Sequence, residues 1–160
     1  MSGCVIPVGP QFDDAEPNFP PYIVTSEPGV GSLFTPQDPD SAITVTLGDH
    51  NVGDALYLRW IIDYPNADPR ASRRASSDFK YEPGTTVIRT PPQRFLPTCL
   101  SIPRTASPHR LVLSVADRPF LNIENGDKVS TDAPFDTVPE SANRLRAVWL
   151  LNMDCPGGTQ

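Results

Sequence analysis

Ala55-Leu56-Tyr57-Leu58-Arg59-Trp60-Ile61-Ile62-Asp63 is nearly continuously apolar, and it carries the decision about the fold. At a period of two, Leu56, Leu58, Trp60 and Ile62 share one face, while Tyr57, Arg59 and Ile61 share the other, which is the pattern of a central strand. Upstream, Ala42 to Leu47 alternates apolar and β-branched polar residues, and Gly48 to Gly53 reads as the turn between the two strands. Tyr22 to Thr25 reads as a first edge strand. Downstream, His109 to Asp117 directs Leu111, Leu113 and Val115 inward, and Arg144 to Met153 sets Leu145, Ala147, Trp149, Leu151 and Met153 on one face. Shorter strands are expected over Asp78–Tyr81, at a sheet edge, and over Thr85–Arg89, across a Pro83-Gly84 turn. Helix signals reduce to single turns near Phe95–Ser101 and Ser141–Asn143. Short strands separated by Pro/Gly loops argue for an antiparallel β-sandwich, in which two sheets bury their apolar faces against each other.

A chain of 160 residues with 38% apolar content supplies one core. Pro, at 20 residues, is abundant but scattered, so it punctuates loops instead of specifying collagen or wholesale disorder. Met1 to Asp40 holds eight prolines, six acids and no Lys or Arg. Residues 1–21 therefore read as a Pro- and acid-rich tether, 22–156 as the sandwich and 157–160 as a tail. The net charge is −6. Such acidity argues against nucleic acid, which requires a basic footprint to displace counterions. Arg70, Arg73 and Arg74 form only a short basic patch in a Ser-rich loop. All eight acids of residues 1–58 lack a basic neighbour in that half, whereas every base lies from Arg59 onward. That asymmetry either steers head-to-tail contact between copies or simply keeps the tether solvated.

Ser2-Gly3-Cys4 resembles the end of a bacterial lipobox, since small residues before a cysteine are what lipoprotein processing accepts. Lipid on Cys4 would place the chain in the cell envelope, at the outer membrane or cell surface, because two or more acyl chains give durable anchoring. Apolar runs never reach the length of a spanning helix, so the expected membrane link is covalent or indirect. Cys99 and Cys155 then form a natural pair. Closing the fifty-odd residues between them is worth about 4 kcal/mol by chain entropy. The alternatives are that both remain reduced, and that Cys4 crosslinks two chains instead of carrying lipid.

Candidate chemistry is sparse. Asp49, Asn51 and Asp54 are oxygen donors spaced along one turn, the kind Ca²⁺ selects, and Asp63 joins them if the loops meet. Ordinary Asx-turn bonding is the competing reading. His50 is a solvated loop residue or a transition-metal ligand, and His109 caps a loop. Trp60 and Trp149 read as core anchors. Asp117-Arg118-Pro119-Phe120 reads as a strand-ending turn with a local ion pair. No Gly-x-Ser-x-Gly elbow, Cys/His arrangement or phosphate-cradling glycine motif occurs, so no catalytic residue is assigned and an enzyme is not expected.

Leu56 to Asp63, followed later by His109 to Asp117, resembles the paired signature of bacterial extracellular immunoglobulin-like domains of the polycystic-kidney-disease-repeat type. Trp60 matches the core tryptophan of that signature. With Cys4 to Pro7, Ala116 to Phe120 and Val148 to Pro156, the chain also resembles uncharacterised predicted lipoproteins of myxobacterial type. The resemblance implies an immunoglobulin-like sandwich but carries no established activity. The expected function is a non-catalytic, immunoglobulin-like envelope lipoprotein that binds a protein partner or serves as an accessory. A subunit of an extracellular fibre or envelope complex, joined to neighbouring copies through its N-terminal arm, is the second expectation. An enzyme or small-molecule binder assembled from loops is the third.

Overall fold

A computed structural model describes residues 17–63, 78–99, 108–121, 126–127 and 136–153. Eight strands occupy them: β1 (Tyr22–Glu27), β2 (Leu33–Phe34), β3 (Ile43–Gly48), β4 (Leu56–Ile62), β5 (Asp78–Tyr81), β6 (Gln93–Phe95), β7 (His109–Ala116) and β8 (Arg144–Leu151). They form a three-stranded sheet in the order β1-β3-β6 and a five-stranded sheet in the order β2-β8-β7-β4-β5. All neighbours are antiparallel except β2 and β8, which run parallel. The first part of the chain is thus shared between the two sheets. This is the order of an immunoglobulin-like sandwich, with β4, β7 and β8 as the central strands of the larger sheet.

The faces expected from alternation are the faces buried. Ile43, Val45 and Leu47 of the small sheet meet Leu56, Leu58, Trp60, Ile62, Leu111, Leu113, Val115, Ala147, Trp149 and Leu151 of the large one. Trp60 joins the layers, its ring 5.2 Å from Phe95 of β6 and 5.6 Å from Trp149. Full burial of each large side chain contributes roughly 1.5–3 kcal/mol, which is why so regular a pattern fixes strand register. The Trp149 indole Nε1 donates to Pro28 O at 3.1 Å, so its single polar atom is satisfied where the chain passes from β1 to β2. The Tyr81 hydroxyl donates to Pro91 O and accepts from Gln93 Nε2, tying β5 to the approach to β6.

Two sequence expectations need correction. Thr85–Arg89 is not a ladder strand; it makes one bridge, Gly48 with Ile88, and two backbone bonds to Leu47 and Asp49. Pro91 and Pro92 have no N–H to donate, so pairing with β3 lapses and resumes only at Gln93. Phe95 belongs to β6 and is not part of a helical turn, and β2 was not anticipated at all. The single turn expected near Ser141–Asn143 is present over Glu140–Ser141, closed by Ala142 N donating to Pro139 O, and no helix occurs among the described residues.

Part of the outer face of the large sheet, over β4 and β7, is also covered, which alternation in β4 did not reveal. Ile61, Val112 and Ser114 point away from the sandwich interior yet are buried. Part of the cover comes from the β7–β8 connection. Phe120 lies under the Arg59 guanidinium, 4.7 Å from Cζ to the ring centroid, and Asp136 sits fully buried beside Ser114, Arg144 and Arg146. Burial by itself would push the Asp136 carboxyl up. The hydrogen bonds and charge of Arg146, with Arg144 and the Ser114 hydroxyl, outweigh it and hold the group below its ordinary value. A folded-state value below the unfolded one contributes stability above the unfolded value of ~3.9, lost as pH falls through the folded value. Unfolding free energy should therefore decline below about pH 4. Asp136→Asn should cost roughly 1–3 kcal/mol at neutral pH and flatten that acid slope in urea titrations.

Candidate functional site

One end of the sandwich gathers three segments that are distant in sequence: residues 17–21, the β3–β4 turn and the two ends of the β7–β8 connection. The turn is set first. Asp49 Oδ1 accepts from Asn51 N at 3.0 Å, an Asx turn, and Asp49 Oδ2 receives Arg89 Nη2 at 2.9 Å. The same buried guanidinium donates to Asn51 O, Asp54 O and Val52 O at 3.1, 3.0 and 3.3 Å. The positive charge at the centre of this oxygen-rich turn is therefore Arg89. Asn51 and Asp54 face other partners: Asn51 Oδ1 accepts from Phe19 N, and Asp54 Oδ1 lies 3.6 Å from Arg118 Nη1. The oxygens considered for calcium thus serve a guanidinium, a backbone amide and a second arginine. Asp63 does not join them. It follows β4 while Asp54 precedes it, one strand length of about 20 Å away.

An aromatic stack rises beside the turn. Gly48 stands opposite Tyr22 in the ladder, and a Cβ there would lie only 2.4 Å from Tyr22 Cζ, so the ring covers the glycine. Tyr22 stacks on His50 at 5.2 Å, and Phe19 meets the same histidine edge-on at 5.9 Å. Phe19 keeps 48% of its surface exposed. His50, read as a solvated loop residue or a metal ligand, is exposed and serves as the middle ring.

Asparagines then fasten the chain ahead of β1. Asn18 Nδ2 donates to Asp117 Oδ2 at 2.8 Å, Asn143 Nδ2 donates to Asn18 O at 3.1 Å, and Asn143 N donates to Asp117 Oδ1 at 2.9 Å. Asp117 is buried among these donors. The expected local ion pair of Asp117 with Arg118 is replaced: Arg118 bonds the Asp117 carbonyl and turns its charge toward Asp54. A tether ending at residue 21 is accordingly seated on the body from Pro17 onward. Asn18, Arg89, Asp117 and Asn143 were not singled out from sequence for these contacts, because nothing local marks a residue whose partner lies up to 125 positions away.

At the opposite end, Thr35, Gln37, Asp38, Pro97, Asn152 and Met153 line an open cleft of about 450 Å³. Cys99 follows Pro97 and is disulfide-bonded. Cys155, its expected partner, and Cys4 both lie outside the described residues, as do Arg70, Arg73 and Arg74. His109 is buried at the start of β7, and its Nδ1 lies 3.0 Å from Asp63 Oδ2, where the chain leaves β4. Trp60 and Trp149 are core residues, as expected. Among the described residues no helix is long and apolar enough to cross a membrane. No family model, curated protein or solved structure matches this chain.

Proposed function

We propose that this chain is a non-catalytic, immunoglobulin-like binding or accessory module of the bacterial cell envelope, held to the membrane by lipid on Cys4. The observation that supports it best is the loop end of the sandwich. Three segments meet there in a braced arrangement, with an exposed aromatic side chain, Phe19, on top. Loops held rigidly at the end of a sandwich are a common way for this architecture to bind partners. The carboxylates there are engaged by Arg89, Arg118, Asn18 and Asn143, which suits bracing more than proton transfer. Mass spectrometry of the native protein is expected to find acyl chains on Cys4 and, without reductant, a Cys99–Cys155 crosslinked peptide. A free, unmodified Met1 terminus would defeat the anchoring.

A second reading, a subunit of an extracellular fibre or envelope complex joined through its arm, is favoured by one observation. The arm is seated on the body at Pro17 to Phe19 through its own backbone groups.

A further inference from the structure

The contacts that seat residues 17–19 have a chemistry of their own. Asn51 uses both ends of its carboxamide on one short stretch of main chain, Oδ1 accepting from Phe19 N at 2.8 Å and Nδ2 donating toward Pro17 O at 3.5 Å. Asn143 Nδ2 donates to the intervening carbonyl, that of Asn18, at 3.1 Å. Three consecutive residues thus have a backbone group bonded by a side chain of the body. Two side chains add selectivity: Asn18 is held by the Asp117 carboxylate, and Phe19 rests edge-on against His50. Main-chain bonds that give affinity, with side-chain sites that give specificity, are how extended peptides are recognised. Pro20 and Pro21 bias the preceding backbone toward extended conformations, so such a peptide loses little entropy on docking.

We propose that this end of the sandwich is a recognition site for an extended Pro-Asn-Phe segment, filled here by the chain's own arm, and that the partner it takes in trans is the arm of a second copy. Arm exchange of this kind reuses contacts already present, since each copy would present the same surface and the same segment. Only Pro20 and Pro21 separate the seated residues from β1, and a short hinge of this kind favours exchange between neighbours over long excursions of the arm. The proposal rests on the second reading, copies joined through the arm, and deepens it by naming the site that holds the arm.

The test uses the full chain carrying Asn18→Ala and Phe19→Ala, which loosens its own arm, and a fluorescein-labelled peptide of residues 16–21 (EPNFPP). Saturable binding is expected in fluorescence anisotropy. It should weaken roughly tenfold or more when the asparagine of the peptide becomes alanine, or when the receptor also carries Asn51→Ala. The unaltered chain should bind the peptide roughly tenfold or more weakly, because its own arm competes at high effective concentration. Sedimentation should show concentration-dependent dimers of the unaltered chain, shifted toward monomer by Asn18→Ala. Absence of saturable binding by a receptor with an unchanged cooperative melt overturns the recognition site. Peptide binding by a chain that sediments as monomer at every concentration overturns the second copy as partner. Neither result depends on lipid at Cys4, so failure here and failure of the anchoring are read separately.

Discussion

Trp60→Ala should lower the unfolding free energy by about 3–5 kcal/mol, the range for removing a buried tryptophan from a packed core. Trp60 is 2% exposed on β4, faces Leu113 across the ladder, and touches Phe95 and Trp149. Alanine would leave a cavity between two sheets whose spacing is fixed by all the other inward residues, so the site has little freedom to collapse. Trp60→Phe keeps a ring in the gap and should cost much less. Urea denaturation followed by circular dichroism, with Trp149 fluorescence as a second probe, measures both. At ~2–4 °C per kcal/mol the alanine variant should melt roughly 10 °C lower. A loss below 1 kcal/mol would show that the tryptophan does not hold the layers together.

Arg89→Met should be nearly as costly, about 3–5 kcal/mol, for an electrostatic reason. Removing one partner of a buried ion pair strands the other, and here Asp49 is 1% exposed. Three carbonyls, those of Asn51, Val52 and Asp54, would lose donors together with the carboxylate. Arg89→Lys should recover only part of the loss, because an ammonium cannot reach four acceptors with the spread of a guanidinium. Adding Asp49→Leu to Arg89→Met should restore some stability by removing the stranded charge. Denaturation of the two single variants and the double variant measures the coupling; simple additivity would mean that the pair does not act as a unit. The β3–β4 turn should also loosen in Arg89→Met, so peptide binding at the loop end should fall with stability.

Much of the fold was legible before any coordinate because burial on one face writes itself into a strand at a period of two. Leu56, Leu58, Trp60 and Ile62, then Leu111, Leu113 and Val115, then Ala147, Trp149 and Leu151, fall where alternation places them. β2 and β6 were not legible: at two and three residues they carry no period, and they are strands only because β8 and β3 offer them a ladder. Thr85–Arg89 had β-branched residues but lost its ladder to the prolines beyond it. The candidate site was legible only in part. Asp49, Asn51 and Asp54 were recognised as oxygen donors in a turn, but the cation that they and their backbone surround comes from forty positions downstream.

By itself the sequence determined a two-layered β body with Trp60 and Trp149 inside, because hydrophobic burial acts residue by residue along each strand and leaves a local signature. Tertiary structure alone decided that Arg89 fills the β3–β4 turn, that Asp136 and Phe120 cover the outer face, and that Asn18 is held between Asp117 and Asn143. Those are polar and cation–π contacts between different segments of the chain. A hydrogen bond or ion pair depends on where the partner is placed after the sheets have packed, and no spacing within one segment records that.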